Sequence, residues 1–138
     1  MAKILVVDDD IHATTLFDTL LTAKGYDAII VNDSATAFDV AKSTNPDLII
    51  LDLMMPEPNG FEVCKTLRAD PKFSNIPIVI FTAMGDSDSK QSALSAGADE
   101  FLTKPFRVED LMNRIRSLME KSSKAWYNKA IKKTQEPL

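Results

Sequence analysis

One cysteine in 138 residues leaves nothing for an internal disulfide to form with, so the fold must stand on its core, as expected in a reducing compartment. Long apolar runs are also missing. None approaches the roughly 20 residues that a bilayer-spanning helix needs, which excludes a membrane protein of that kind. Basic excess is absent as well: 16 Lys and Arg stand against 20 Asp and Glu, for a net charge of −4 and a pI near 4.9. That balance argues against nucleic acid as a partner of the domain as a whole. There is no internal repeat and no low-complexity segment. The chain enters an apolar strand within three residues, which leaves no room for a signal peptide and makes a cytoplasmic location the expectation.

What is present suits one soluble domain: 45% apolar and 26% charged residues, on a chain long enough to build its own core. Charge is uneven. From Lys121 to Leu138 five lysines face one acid, Glu136, so this segment carries +4 and the preceding 120 residues −8. Apolar and polar patterning alternates between strand and helix along the chain. Ile4–Val7 is a first strand. Ala13, Leu16, Phe17, Leu20 and Leu21 then recur at helical spacing, and Gly25 stands where a helix C-cap glycine belongs. Tyr26–Val31 reads as a second strand. Asp33 or Ser34 can cap a helix to about Lys42, with Ala37, Phe38 and Ala41 inward, and Asn45-Pro46 ends it. The third strand runs into Asp52, and Gly60 opens a helix carrying Phe61, Val63, Cys64 and Leu67. Ile78–Phe81 is a fourth strand ending at Thr82, followed by a polar helix closed by Gly97 and a fifth strand near Glu100–Thr103. Val108, Leu111, Met112, Ile115, Leu118 and Met119 form a strongly periodic final helix. Five βα units in about 120 residues give an open α/β sandwich, because an eight-stranded closed barrel needs about twice that length.

The short uninterrupted apolar strands read as buried on both faces, the mark of a parallel sheet covered by helices. Ligands of such sheets bind beyond the carboxyl ends of the strands. Three features sit there: the run Asp8-Asp9-Asp10, Asp52, and Lys104-Pro105. Carboxylates gathered this closely repel unless a cation sits among them, so the pattern predicts a metal site with a lysine beside it.

These residues resemble the receiver domain of two-component response regulators. The resemblance is carried by VVDDD at 6–10, by Asp52-Leu-Met-Met-Pro followed by Gly60, by Phe-Thr-Ala at 81–83 and by Lys-Pro-Phe at 104–106. It spans residues 3 to about 120, with strand order 2-1-3-4-5 in a flavodoxin-like sandwich. It implies that Asp52 takes a phosphoryl group from a histidine kinase or phosphotransfer protein. Asp8, Asp9, Asp52 and the backbone carbonyl of Met54 would hold Mg²⁺, a hard cation that prefers oxygen, with Mn²⁺ able to substitute. Thr82, Ala83 and Lys104 would bind the phosphoryl group, and Pro105, a cis peptide in the family, would fix the lysine's approach. Thr82 turning inward would make space for Phe101, a position where tyrosine is common. The added charge would then alter the surface of the fourth helix, fifth strand and fifth helix. That surface would serve a downstream effector, an output domain beyond Leu138 or a phosphorylation-dependent homodimer, with no membrane and no direct nucleic-acid contact by the receiver. The chain would catalyse only its own phosphorylation and slow dephosphorylation. Met54 and Met84 would flank the hydrolytic water, and thioethers cannot orient it, which predicts a long-lived phosphoaspartate.

Other polar and apolar residues have plainer readings. Asp10 caps the first helix, and His12 is a surface residue near the pocket. Cys64 is inert core, and Met55 is packing. Ile11, Thr14, Thr15 and Asp18 fall opposite the buried face of the first helix, where an exposed Ile11 suggests kinase docking. Residues 1–121 read as the receiver, and 122–138 as a basic extension. Trp126 and Tyr127 favour a helix there over a disordered linker. A rival reading is an aspartate-nucleophile phosphatase of the haloacid dehalogenase type, with Asp8-x-Asp10 as its motif. His12 in place of threonine or valine, no late acidic pair and no cap domain weigh against it. A flavodoxin-like binding module fails too, since three aspartates would repel the phosphate it must cradle.

Overall fold

A computed structural model describes all residues except Met84 and 136–138; for 123–135 it describes the backbone alone. Met1–Phe106 forms one compact unit and Arg107–Leu138 a second. In the first, β1 (Lys3–Val7), β2 (Asp27–Val31), β3 (Leu48–Asp52), β4 (Ile78–Thr82) and β5 (Glu100–Thr103) make one parallel sheet in the order β2-β1-β3-β4-β5. Helices α1 (Ile11–Ala23), α2 (Ala37–Thr44), α3 (Gly60–Ala69) and α4 (Ser87–Ser95) connect the strands. The second unit holds α5 (Val108–Gln135), which carries the periodic apolar residues and continues as helix into the basic segment as far as Gln135. Among the described residues no helix is long and apolar enough to cross a membrane.

Strand register explains why uninterrupted apolar runs were needed. Leu5, Ile49 and Ile78 align across three strands, as do Val7, Leu51 and Ile80, and this face meets Ala37 and Ala41 of α2, Val63, Cys64 and Leu67 of α3, and Ala93 of α4. Val6, Ile50 and Val79 align on the other face, where Phe17 of α1 packs edge-on against Phe81 at 4.9 Å between centroids. A strand loaded on alternate positions only would leave one of these faces bare.

Local chemistry sets the helix ends. The Asp10 side chain accepts from the His12 amide at 2.9 Å, capping α1 as expected. Asn59 and Glu62 form a reciprocal capping box at the start of α3. The segment after β2 begins with a 3₁₀ turn over Ser34–Thr36, capped by Asp33, before α2 proper. Its helix ends at Asn45, which takes a left-handed φ of 51° that asparagine tolerates. The inner face of α1 departs from the spacing argument. Thr14 is buried with Phe17 and Leu21, whereas Leu16 is 53% exposed. The helical stripe is rotated toward Thr14 because that hydroxyl finds a partner, described below.

At the amino ends of β4 and β5, Arg68 acts as a fork. Nε donates to the Gly97 carbonyl at 2.9 Å, Nη1 to those of Phe73 at 2.9 Å and Ile76 at 2.6 Å, and Nη2 to Asp99 at 2.9 Å. The same Asp99 oxygen accepts the Ile78 amide at 2.8 Å. Gly97, at φ 107°, also leaves room for the Arg68 stem, since a Cβ there would lie 2.7 Å from Arg68 Cγ. Arg68→Ala strands three carbonyls and takes the cation away from Asp99, which keeps its bond from the Ile78 amide, so a loss of about 3 kcal/mol is expected. It should appear as a lower urea midpoint at unchanged slope. Arg68→Lys should recover little, because an ammonium cannot reproduce the planar fork.

Candidate functional site

Each acid stands where a strand delivers it. Val7 pairs with Leu51, so Asp8 and Asp52 come next on neighbouring strands, at the carboxyl end of the sheet. Asp8 and Asp52 are buried and Asp9 is exposed, and one carboxylate oxygen from each lies within 4.8 Å of the others. Lys104, just past β5, reaches into the same crevice: its Nζ is 3.4 Å from Asp8 Oδ2 and 3.9 Å from Asp52 Oδ2. The four charged groups foreseen from the sequence therefore meet.

The backbone at the strand ends holds them there. The Lys104 amide donates to the Thr82 carbonyl at 2.8 Å, and the Leu53 amide to that of Phe81 at 3.0 Å. Thr82 is fully buried at the end of β4, with Ala83 directly after it. Lys104–Pro105 is a cis peptide, as the motif implied, and Glu57–Pro58 is a second that the sequence did not announce. Gly60 packs against the strand-end backbone; a Cβ on it would run into the Asp52 carbonyl oxygen and lie 2.8 Å from Leu53 Cα. Phe101 is half-buried and packs against the core beside Ile80.

Electrostatics single out Asp52. Burial, and then the neighbouring Asp8 carboxylate, push it up from 3.8 to about 7, while Lys104 and a 3.3 Å bond from the Met54 amide pull the other way. A carboxylate so poorly compensated favours a divalent cation or a bound proton. Asp8, Asp9 and Asp52 supply only oxygen donors, the set that hard cations such as Mg²⁺ take.

Several predicted residues lie where expected but outside the cluster. Asp10 is engaged in capping α1, which removes the second acid of the phosphatase-type reading. His12 is exposed. Cys64 is buried, with its Sγ donating to the Ala96 carbonyl at 3.4 Å and its thiol pushed up to about 11 by burial, which makes it inert. Met55 is buried and Met54, two residues after Asp52, is 56% exposed, while Met84 falls outside the described residues. Ile11, Thr15 and Asp18 are exposed, but Thr14 is not: it is 2% exposed.

Three contributors were missed. Asn32 donates from Nδ2 to the Asp8 carbonyl and to Thr14 Oγ1, both at 2.9 Å. Its place directly after β2, the strand beside β1, was the available signal. Phe81 presents its ring to the Lys104 ammonium at 4.6 Å, a cation–π contact that only the three-dimensional structure reveals. Gly60 was read as a helix opener, not as a close-packing position.

Comparison with known proteins agrees with this geometry. The family model described as response regulator receiver domain matches residues 4–116. The DNA-binding dual master transcriptional regulator RpaA of Synechocystis sp. is 39% identical over 124 residues, covering 90% of this chain and 52% of that protein. The DNA-binding response regulator MtrA of Mycobacterium tuberculosis is 38% identical over 120 residues, covering 87% of this chain and 51% of the relative. The solved structure of chemotaxis protein CheY4 of Vibrio cholerae superposes with a TM-score of 0.81 at 32% identity, covering 86% of this chain and 98% of that one. The chain thus spans about half the length of the curated relatives it matches and nearly all of CheY4. By its fold, its strand-end acids and these matches, the chain belongs to the response regulator receiver domain family.

Proposed function

We propose that Asp52 accepts a phosphoryl group from a histidine kinase or phosphotransfer protein, and that the result changes the surface around α4 and β5. The observation that carries this reading is the meeting of buried Asp8 and Asp52, Asp9 and Lys104 at one crevice. In the transfer, a carboxylate oxygen of Asp52 bonds to phosphorus while the bond from phosphorus to the donor's nitrogen or oxygen breaks. Asp8, Asp9, Asp52 and the Met54 carbonyl would hold Mg²⁺ (or Mn²⁺), which when bound offsets charge on the phosphoryl oxygens. Lys104, already within reach of both buried acids, would take a phosphoryl oxygen. The Thr82 hydroxyl and the Ala83 amide would take others. Phe101 would then repack as Thr82 turns.

In this reading the chain is a switch that turns over only its own phosphoryl group, located in the cytoplasm. Residues 1–121 would form the receiver and 122–138 a basic extension or linker leading toward an effector or output domain, with 136–138 outside the described residues. RpaA and MtrA are named as DNA-binding proteins. Control of such an output is the corresponding proposal for this chain, with the acidic receiver itself not touching nucleic acid.

Acetyl phosphate with Mg²⁺ should add one phosphoryl group by mass, and a chelator should prevent it. The label should be cleaved by hydroxylamine, as an acyl phosphate is. More than one label, or labelling that survives chelation, would refute the assignment. A second expectation concerns lifetime. Met54, two residues after Asp52, would face the hydrolytic water with a side chain that cannot position it. Met54→Asn should therefore speed loss of the label by about tenfold, or 1.4 kcal/mol. Equal decay after removal of the phosphodonor would free Met54 of that role.

A further inference from the structure

Asp8 is held at every polar atom. Its amide donates to the Val31 carbonyl at 3.1 Å, Oδ1 accepts from the Asp10 amide at 3.0 Å and Oδ2 faces Lys104 at 3.4 Å. The remaining atom, the backbone carbonyl, accepts from Asn32 Nδ2 at 2.9 Å. Asn32 itself reaches in from the surface, yet both amide hydrogens are spoken for. The second goes to Thr14 Oγ1 at 2.9 Å, and that hydroxyl donates in turn to the Ile11 carbonyl at 3.1 Å. The amide orientation is unambiguous, because a backbone carbonyl can only accept and so must face nitrogen.

We infer that Asn32 and Thr14 form a positioning pair that sets the affinity of the acidic site for a divalent cation. This rests on the proposed reading of that site. The carbonyl that Asn32 grips belongs to the peptide joining Asp8 to Asp9. Fixing that peptide plane fixes how two carboxylates of the cluster are aimed relative to one another. Thr14 ties the same amide to the first turn of α1, which begins three residues after Asp8. The ligand loop is thereby fastened to β2 and α1 at once. Octahedral magnesium tolerates little error in ligand placement, and partners one bond removed from metal ligands commonly govern tenfold or more in affinity. The arrangement also accounts for the burial of a threonine that helical spacing assigned to the exposed face.

Calorimetric titration of the full chain with Mg²⁺ tests this directly. Asn32→Asp keeps the shape but loses both donors, and it should raise Kd about tenfold or more. Part of that rise could be offset by its added negative charge, so Asn32→Ala is the paired variant and should weaken binding similarly. Thr14→Val should weaken binding by a smaller factor, and Thr14→Ser, which keeps the hydroxyl, should restore the wild-type value. Phosphorylation by acetyl phosphate should need more Mg²⁺ for half-saturation in the weakened variants while reaching the wild-type maximal rate. A purely structural role would not produce that split. Wild-type Kd in both Asn32 variants, or a fall in maximal rate at unchanged half-saturation, would overturn the inference. Absence of Mg²⁺ binding by the wild type would instead overturn the reading of the site on which it stands.

Discussion

Asp52→Asn is expected to abolish phosphorylation and, at the same time, to make the cation-free protein more stable. The two effects have one origin. Asp52 titrates at about 7 in the fold against an ordinary 3.8, chiefly because it is buried and next because Asp8 is beside it. Between those values the folded chain binds more protons than the unfolded chain, so stability falls as pH rises across the window. The cost is absent below about pH 3.8 and complete above about pH 7. Its ceiling is about 4 kcal/mol for a shift of about three pH units, and water in an open crevice lowers it. A gain of about 2 kcal/mol, or roughly 5–10 °C in melting temperature, is expected for Asp52→Asn at about pH 8. Near pH 4 the two proteins should melt together. Magnesium should narrow the gap at high pH, since an ion at 100 times its Kd adds about 2.7 kcal/mol to a protein that binds it and less to one lacking a ligand. Thermal melts at both pH values, with and without Mg²⁺, decide the matter. If Asp52→Asn is no more stable than wild type at high pH, or is labelled by acetyl phosphate, then burial of charge at Asp52 is not what organises this site.

The strain implied by that trade was partly legible beforehand. Acids and a lysine at the ends of three apolar runs could be placed together because a parallel sheet brings all its carboxyl ends to one edge. Uninterrupted runs such as Leu48–Leu51 specified burial on both faces, and the register bears this out. Prediction failed where a polar side chain does the work of an apolar one. Periodicity assigned Leu16 inward and Thr14 outward, because a hydropathy pattern weighs a threonine without knowing that Asn32 will satisfy its hydroxyl. The 3₁₀ turn ahead of α2 escaped for a similar reason: Asp33 caps either a turn or a helix, and the sequence shows only the cap. The Arg68 fork has no sequence pattern of its own, since its acceptors are scattered between 5 and 31 residues away along the chain. Cation–π contact between Lys104 and Phe81 is likewise a product of register and has no sequence pattern of its own.

Gly60→Ala is expected to be the most damaging of the small substitutions, and in the direction opposite to helix propensity. Gly60 is the first residue of α3, where replacing glycine by alanine in an exposed helix would stabilise by up to about 1 kcal/mol. Here the added methyl would strike the carbonyl oxygen of Asp52 and sit 2.8 Å from Leu53 Cα. Neither atom belongs to a side chain that can turn away; both are backbone at the carboxyl end of β3. Either α3 lifts off the sheet or the strand end shifts. The first loses packing of Val63, Cys64 and Leu67, all buried against the sheet, and the second moves Asp52 relative to Asp8 and Lys104. The Gly60 amide would also lose its 3.2 Å bond to the Leu53 carbonyl. Overpacking of this kind costs about 1–3 kcal/mol when side chains can yield, and more is expected where backbone must. A lower urea midpoint by the equivalent of about 3 kcal/mol, together with a phosphorylation rate reduced at least tenfold at saturating Mg²⁺, is the expected result. Thr66→Ala, at an exposed site on the same helix, supplies the comparison and should change neither by much. If Gly60→Ala were as stable and as readily phosphorylated as Thr66→Ala, the close approach of α3 to the end of β3 would not be what holds Asp52 in place.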